Sequence, residues 1–385
     1  MFKAVVAHSN DPDSLSAVEE IIQQCLNSLA GDIPQAGIIF AAIDFEHSLI
    51  LQKIHQAFEG IELIGGTTDG EISSVLEFQQ DSIALMLFCS DEVEIHAGVG
   101  RKISADPITA TKQAVEQAKA KAKTTGTPRL CLTHPESLTT SGVLILNGLK
   151  LALGQDVPIF GGLAADQSRY QNTYQFFQTE VLSDSVPILL FSGKVLFSYG
   201  VASGWHPIGQ KSKVTKVDKN ILYEIDSKPA LDFYHHYLDS LPPSMEYPLA
   251  VFDGDTDNFY IRAPIAYNSE SGSITFFADI PNQALIQISE AGYDDILAAS
   301  KSSFMNALNN YPGTEASAVL FFSCVARRQI LGTRAHEEYE NTKLCFKKSL
   351  PACGFYSNGE ISPIDLISQT KFHNETFVTL ILGIR

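Results

Sequence analysis

Residues 65–73 read Gly-Gly-Thr-Thr-Asp-Gly-Glu-Ile-Ser and lie between apolar segments at residues 61–64 and 83–88. Two adjacent glycines let the backbone turn sharply or approach another group where a Cβ would clash. The threonine hydroxyls beside them can bind a ligand or cap the turn. This pattern gives four candidate ligand contacts, Gly65, Gly66, Thr67 and Thr68.

The same pattern returns twice further along the chain. Residues 354–362 read Gly-Phe-Tyr-Ser-Asn-Gly-Glu-Ile-Ser, and residues 161–166 read Gly-Gly-Leu-Ala-Ala-Asp. Each copy follows an apolar, strand-like segment and a helical pattern, and each precedes another apolar segment. The segments before the copies are residues 37–43, 129–133 and 318–322, and those after them are residues 83–88, 186–191 and 377–382. The sequence therefore predicts one strand–helix–turn–strand unit used at least three times, because solenoid repeats have shorter periods of about 20–50 residues.

Composition narrows the class of protein. The chain has 385 residues, of which 45% are hydrophobic and 18% charged, which is typical of a folded protein of two or three domains. A net charge of -17 argues against nucleic-acid binding, which needs a basic face. No apolar run approaches about 18 residues, and the first residues lack the features of a signal peptide. We therefore predict a cytoplasmic protein without membrane insertion.

The predicted fold is α/β, with two packed domains that each contain a mixed β-sheet flanked by helices. The internal strand–helix–turn–strand repeat relates the two domains. We place the boundary at the only tryptophan, Trp205, which gives domains at residues 1–205 and 206–385.

The ordered set of motifs resembles the FIST family, with an N-terminal FIST domain followed by a C-terminal one. The resemblance rests on residues 65–72, 161–166, 204–209, 259–264, 321–328, 354–361 and 372–376. It implies a sensory, ligand-binding module of signal transduction that acts with a histidine kinase, a cyclase or a chemotaxis receptor. Because the chain has no kinase, cyclase or F-box sequence, we expect its output to pass through another protein. Some bacterial members bind haem, sense nitric oxide and regulate a partner kinase.

Two arginines are candidate ligand contacts. Arg262 and Arg327 lie in or beside apolar strands, where an unpaired guanidinium is costly. Either could clamp a ligand carboxylate or a haem propionate with two parallel hydrogen bonds. The alternative for each is a structural ion pair with an acidic residue.

Further candidates lie in the repeated motifs and near the end of the chain. Glu360 has the same place in its copy as Glu71 in the first, so each either caps its turn or faces a shared cleft. Asp166, in the third copy, has the same two alternatives. Cys324 is another candidate contact, although its apolar strand also fits a buried, inert thiol. Asn374 belongs to the motif Phe-His-Asn-Glu-Thr at residues 372–376.

Two histidines are candidate axial ligands for a haem, which needs only one neutral imidazole in an apolar pocket. His373 precedes an apolar strand, and His206 follows Trp205. For each, a hydrogen-bonded structural histidine is the alternative. The chain has no CxxCH haem-attachment motif.

The sequence contains no GxSxG elbow, no Walker loop and no GxGxxG motif after a strand. We therefore predict that the protein is not an enzyme. The leading hypothesis is a FIST-type sensor of a small ligand that regulates a signalling partner. The ligand would be nitric oxide bound at haem or, without haem, a small metabolite such as an amino acid. The competing hypothesis is a protein-interaction scaffold with no ligand.

Overall fold

The computed structural model describes residues 1–123, 127–252, 257–346, 350–364 and 369–384. Within these residues it contains eight α-helices and 26 strands in four sheets. The predicted mixed α/β fold is therefore confirmed. None of the described helices is both long and apolar enough to cross a bilayer.

Among the described residues, the first half of the chain contains 13 strands and four helices. They are β1 (Phe2–Ser9), α1 (Ser14–Leu29), β2 (Ala36–Ala41), α2 (His47–Ala57), β3 (Glu62–Thr67), β4 (Glu71–Ser73), β5 (Glu77–Gln79), β6 (Ile83–Ser90), β7 (Val93–Arg101), α3 (Pro107–Lys119), β8 (Leu130–Thr133), α4 (Gly142–Leu153), β9 (Ile159–Gly162), β10 (Gln175–Phe177), β11 (Glu180–Leu182), β12 (Ser185–Gly193) and β13 (Leu196–Ala202).

The second half begins mostly with strands, and helices become more frequent from residue 293. Its elements are β14 (His206–Asp218), β15 (Ile221–Ile225), β16 (Lys228–Pro229), α5 (Ala230–Leu238), β17 (Leu249–Phe252), β18 (Phe259–Arg262), β19 (Pro264–Asn268), β20 (Ser273–Phe276), β21 (Leu285–Glu290), α6 (Tyr293–Asn309), β22 (Ala316–Cys324), α7 (Val325–Leu331), a 3-10 helix (Gly332–Arg334), α8 (Glu337–Lys343), β23 (Ala352–Ser357), β24 (Glu360–Pro363), β25 (Thr370–His373) and β26 (Phe377–Gly383).

Three of the sheets follow one plan. Their orders are β1-β6-β2-β3-β10-β11, β7-β12-β8-β9-β24-β25 and β13-β26-β22-β23-β4-β5. In each, the third and fourth strands are parallel and the other pairs are antiparallel. We call β1–β6 unit 1, β7–β12 unit 2, and β13 with β22–β26 unit 3. The repeat is confirmed, and it is longer than predicted because each unit also begins with a strand and, after it, a helix.

Each sheet is completed by a hairpin from another unit. Unit 2 gives β10–β11 to the sheet of unit 1, unit 3 gives β24–β25 to unit 2, and unit 1 gives β4–β5 to unit 3. The exchange is cyclic, so the three units form a closed ring in which each one depends on its two neighbours.

The fourth sheet lies within unit 3, between β13 and α6. It has the order β18-β17-β21-β14-β15-β20-β19, with β16 paired to β15, and its pairs are antiparallel. We call β14–β21 with α5 the inserted sheet. Residues 293–383 then return to pair with β13. The division into domains at residue 205 stays a prediction, although the inserted sheet does begin at His206.

The repeated glycines are required where two parallel strands approach closely. A Cβ would lie 1.8 Å from a carbonyl oxygen of the neighbouring strand at Gly65, 1.9 Å at Gly161 and 2.4 Å at Gly354. Real Cβ atoms do not approach backbone oxygens at these distances, so any larger residue would force the strands apart. The same constraint in all three units explains why the sequence pattern recurs.

The inner faces of the three sheets pack on one another along the axis of the ring. Phe355 lies at their centre, with its ring centroid 4.3 Å from that of Phe40, 4.7 Å from that of His134 and 5.7 Å from that of Phe322. Helices cover the outer faces, as α1 illustrates by burying Val18, Ile21 and Cys25 at helical spacing. The three-unit ring thus has one apolar core inside it and helices outside.

Candidate functional site

The three glycine turns meet at one end of the ring, which we call the mouth (residues 67–70, 163–166 and 356–359). One backbone N–H from each turn donates to the carbonyl oxygen of the turn in a neighbouring unit. The three hydrogen bonds run from Asp69 to Tyr356 (3.0 Å), from Ala165 to Thr67 (2.8 Å) and from Asn358 to Leu163 (3.3 Å). These bonds close a ring of backbone around the axis, which brings the three sequence motifs together.

A buried polar side chain follows each turn at equivalent positions. Glu71, Glu360 and Gln175 face Phe355, Gly162 and Gly66 across their strand pairs. Each accepts hydrogen bonds from a residue at the start of the last strand of its own unit. These side chains therefore tie each exchanged hairpin to its own unit.

The carboxyl groups of Glu71 and Glu360 are fully engaged inside the protein. Glu360 accepts from the Ser357 hydroxyl at 2.9 Å, and from the Thr376 backbone N–H and hydroxyl at 3.1 and 2.8 Å. Glu71 accepts from the hydroxyls of Thr68 and Ser82. Burial raises the pKa of both carboxyl groups to about 8. Of the two predicted alternatives, the structure supports the turn cap, and we do not include Glu360 in a ligand site.

The first motif likewise uses its polar atoms internally. Thr67 Oγ1 accepts from the Tyr174 N–H at 3.0 Å, while Thr68 donates to Glu71. A Cβ on Gly66 would lie 2.4 Å from the His134 ring, and Gly65 packs against β2. These four predicted contacts are fixed within the ring, so we do not include them in a ligand site either.

Asp166 organises the loop between β9 and β10, residues 163–174. Its carboxylate accepts the backbone N–H groups of Tyr170, Gln171 and Asn172 at 2.9, 2.7 and 3.1 Å. The loop backbone has positive φ at three non-glycine residues, including Tyr170 at 51°, a conformation that most side chains disfavour. The corresponding connections are only residues 68–70 and 358–359. Asp166 therefore stabilises an extension of unit 2 at the mouth.

Asp69 and Arg328 form a polar contact at the mouth that the sequence analysis missed. Arg328 Nη2 lies 2.7 Å from one Asp69 carboxylate oxygen, and the Ser168 hydroxyl donates to the other at 2.9 Å. Burial raises the pKa of Asp69, and the nearby Arg328 opposes that shift. This pair links α7 and the β9–β10 loop to the first turn. Asp69 lies in the first motif, so its position was a signal that sequence reasoning did not use.

Arg327 is a structural residue. Its Nε and Nη2 donate to Glu338 Oε1 at 2.9 and 2.6 Å, and Nη2 also donates to the Ile296 carbonyl at 2.8 Å. Its Nη1 donates to the carbonyls of Ser203 and Glu375. All five N–H groups of the guanidinium are therefore used inside the protein. These contacts fit the structural ion pair that was the alternative for Arg327, and we do not include Arg327 in a ligand site.

Arg262 has a different environment. It is buried, and it donates to the carbonyls of Asp279 at 2.9 Å, Ile261 at 3.0 Å and Phe372 at 3.1 Å. Its guanidinium lies 4.4 Å from the centre of the Tyr260 ring, and burial lowers its pKa. Within the described ranges, no carboxylate lies at ion-pair distance. Arg262 thus joins the inserted sheet to β25 and remains a candidate partner for an anionic group.

Beside the mouth lies a group of buried polar atoms without hydrogen-bond partners among the described residues. They are Oδ1 of Asn358, Oδ1 of Asn374, both carboxyl oxygens of Glu375 and the hydroxyl of Tyr234. Each of these four residues is at most 8% exposed, and Glu375 and Tyr234 are 0% exposed. We call them the acceptor cluster. The pairing of β24 with β25 ends at Glu360 and His373, so the turn that carries Asn358 and the segment that carries Asn374 and Glu375 leave the sheet at the same end.

Glu375 combines several unfavourable features. Its backbone has φ of 58°, its carboxyl is fully buried, and no described residue donates to that carboxyl. Burial raises the pKa of Glu375, and the nearby charge of Glu360 raises it further. Burial and then Glu375 also raise the pKa of Tyr234, which places α5 of the inserted sheet beside this carboxyl. Sequence reasoning missed Glu375, although it belongs to the motif at residues 372–376.

Cys324 adjoins the same place. It is 4% exposed, its backbone N–H donates to the Thr376 carbonyl at 3.2 Å, and Glu360 and Glu375 lie near its thiol. Burial, more than these charges, raises its pKa well above the usual range for a thiol. These surroundings fit the alternative of a buried thiol, because the thiolate is the reactive form of cysteine and burial disfavours it.

The two histidines do not fit the role of haem ligand. His373 is buried, its Nε2 donates to the Ser362 carbonyl at 2.9 Å, and burial lowers its pKa to about 4. His206 is exposed in a cleft of about 360 Å³ whose lining includes Glu246, Glu290 and Asp295. A haem pocket is apolar and leaves the ligating nitrogen free. Across the described ranges, no group of three His, Cys, Asp or Glu residues is placed to hold a metal ion.

Comparison with protein-family models gives two matches. The model of the FIST N domain matches residues 35–228, and the model of the FIST C domain matches residues 230–363.

Curated relatives are uncharacterised proteins. One from Mycobacterium tuberculosis is 24% identical over 384 residues, which covers 93% of this chain and 94% of the relative. One from Mycobacterium bovis is 23% identical and covers 92% of both chains. One from Methanocaldococcus jannaschii is 29% identical over 130 residues, but this chain spans only 25% of that relative.

Solved structures give whole-chain alignments of low similarity. A cyanuric acid hydrolase from A. caulinodans aligns over 100% of both chains with a TM-score of 0.39 and 10% identity. T. maritima PurL complexed with ATP aligns over 99% of this chain and 71% of its own, with a TM-score of 0.22 and 12% identity. The prediction that the protein is not an enzyme is corrected, because the lack of known catalytic motifs in a sequence does not exclude catalysis. A likeness this low assigns no reaction to the chain.

Proposed function

We propose that this chain, which belongs to the FIST family of signal-transduction sensor domains, binds a small polar ligand beside the mouth. The occupied state would then regulate a partner signalling protein, for example a histidine kinase. The site would comprise the acceptor cluster, together with Arg262 on the side of the inserted sheet.

The observation that carries this proposal is the acceptor cluster itself. A buried polar group without a hydrogen bond costs about 1–3 kcal/mol, and a non-glycine residue with positive φ costs about 1–3 kcal/mol more. Folded proteins leave few such groups unsatisfied, and those that remain are often functional. Several of them on three segments that meet at one place indicate a site that a ligand completes.

The two additions to the three-unit plan support the same location. The β9–β10 loop extends unit 2 at the mouth, and the inserted sheet extends unit 3 beside it. Tyr170 of the loop faces Phe277, just beyond β20, with ring centroids 6.2 Å apart. The ring thus supplies a frame, and the two additions cover one end of it.

A metabolite fits this site better than haem. The acceptor cluster and Arg262 offer polar contacts of both kinds, as a small zwitterion such as an amino acid requires. The histidines proposed for haem are engaged or exposed, as described above. Buried groups that lack partners also favour a ligand-binding sensor over a scaffold, because a scaffold acts through its surface.

The proposal can be tested with the purified chain and a library of small metabolites. Thermal unfolding in the presence of each compound should reveal at least one that raises the melting temperature, because a ligand bound only to the folded state stabilises it. Arg262→Lys keeps the charge but loses the planar fork, so it should weaken that response. Arg101→Lys, at the exposed ion pair with Glu180, is the matched control. A library without any stabilising compound would count against the sensor.

A further inference from the structure

We infer that the acceptor cluster binds a protonated primary amino group of the ligand, with Glu375 as its counter-ion. This inference rests on the proposed function, because it names the chemistry of one end of the same site. The evidence for it is the set of atoms that lack hydrogen-bond partners, the charges around these atoms and the segments on which they lie.

The unpartnered atoms of the cluster are mostly acceptors. Two carboxyl oxygens and two amide carbonyl oxygens lack donors, while the Tyr234 hydroxyl can either donate or accept. Asn358 Nδ2 donates to the Ser137 hydroxyl at 3.1 Å, which leaves its Oδ1 as the atom without a partner. An alkylammonium group has three N–H donors and no acceptor, so it complements this set. A carboxylate or phosphate would find only the Tyr234 hydroxyl as a donor there, beside the carboxyl group of Glu375.

The surrounding charges leave Glu375 without a dedicated cation. The groups that face its carboxyl are Arg327 on α7, Glu360 on β24, Cys324 at the end of β22 and Tyr234 on α5. Of these, only Arg327 is a cation, and its charge is already paired with Glu338 at 2.6 Å. A cation from the ligand would therefore supply the missing charge.

Burial also affects the protonation of this carboxyl before a ligand binds. Because burial and Glu360 raise its pKa, Glu375 holds a proton over a wider pH range in the empty site than in water. An ammonium group favours the ionised form. Binding of the amine should therefore release a proton to the solvent, and the measured heat of binding should depend on the buffer.

The three contributing segments belong to separate parts of the fold. Asn358 lies on the third glycine turn, Asn374 and Glu375 precede β26, and Tyr234 lies on α5. An amino group held among them would link the ring to the inserted sheet. Occupancy of the site would therefore affect the inserted sheet as well as the ring.

The test uses ethanolamine as the probe and ethylene glycol as its neutral counterpart of nearly the same size. Isothermal titration at pH 7 and constant ionic strength should show heat with ethanolamine that differs between phosphate and MOPS buffers, neither of which carries a primary amine, and no heat with ethylene glycol. Glu375→Gln should weaken ethanolamine binding about 10- to 100-fold, the range expected for a lost charged hydrogen bond. Glu246→Gln, in the open acidic cleft beside Trp205, is the matched control and should leave binding unchanged.

A second variant guards against a folding defect in the first. Tyr234→Phe removes only the hydroxyl and should weaken ethanolamine binding severalfold while the melting temperature stays near that of the native protein. Equal binding of the amine and the diol, no binding of the amine, or full binding by Glu375→Gln would overturn the inference. If the metabolite library yields a ligand without an amino group, and Glu375→Gln leaves its binding unchanged, the inference is wrong but the proposed sensor function is supported. If no metabolite binds, the sensor itself fails.

Discussion

Glu360→Gln should make the protein less sensitive to alkaline pH. The carboxyl of Glu360 is fully buried, and burial raises its pKa from 4.5 to about 8. Between these values the folded state holds a proton that the unfolded chain has lost, so the free energy of unfolding falls as the pH rises. Below pH 4.5 this carboxyl removes no stability from the folded state, and above pH 8 the loss that it causes is complete.

The magnitude follows from the shift. One pKa unit corresponds to about 1.4 kcal/mol, so this carboxyl should remove about 2 kcal/mol of stability between pH 6 and pH 8. The amide should fit, because Gln175 already occupies the equivalent position in unit 2. There its Oε1 accepts from the Ser185 N–H at 3.2 Å and from the Ser185 hydroxyl at 3.1 Å. At position 360, Thr376 can donate to a glutamine oxygen in the same way.

The assay is urea unfolding between pH 5 and pH 9, followed by circular dichroism and by the fluorescence of Trp205, which is buried. Relative to the native protein, Glu360→Gln should gain about 2 kcal/mol of stability from pH 6 to pH 8. Because the charge of Glu360 contributes to the raised pKa of Glu375, the same comparison is made in a Glu375→Gln background, where the difference isolates Glu360. Glu19→Gln, on the exposed side of α1, should give a curve parallel to that of the native protein. A Glu360→Gln curve that is also parallel would refute the assigned role of this carboxyl.

Three other substitutions test the fold and the mouth. Gly161→Ala should lower the free energy of unfolding in urea by more than about 3 kcal/mol, because the backbone would have to move. Gly60→Ala, with φ of 77° and nothing within 4 Å of the new Cβ, is the control and should cost about 1 kcal/mol. Equal losses in the two variants would contradict the close-approach argument. Arg327→Met should lower the free energy of unfolding by about 3–5 kcal/mol, since it leaves Glu338 buried without its cation. A calorimetric loss below about 1 kcal/mol would show that the ion pair is dispensable. Asp166→Asn should speed amide hydrogen exchange at Tyr170, Gln171 and Asn172 about tenfold or more while α1 stays protected; unchanged exchange in the loop would mean that other contacts hold it.

The repeat is visible in the sequence because each unit needs a glycine at the same position. The glycines recur where two parallel strands approach within van der Waals contact, and each unit meets the same steric limit. The sequence also indicated a turn cap as the alternative for Glu360 and an ion pair as the alternative for Arg327, since a buried charge needs a hydrogen-bonded or oppositely charged partner. Which partner each one has could not be read from the chain, because Glu338 and Thr376 lie 11 and 16 residues away.

The sequence by itself determined the unit, its three copies and the family. Only the tertiary structure decided that the units exchange hairpins in a cycle, because hydrogen bonds between strands depend on neighbours that are up to about 280 residues apart in the chain. It also decided which candidate residues are satisfied. Whether a buried polar atom has a donor depends on the packing of all segments around it, and for this reason Glu375, ordinary in the sequence, became the centre of the proposed site.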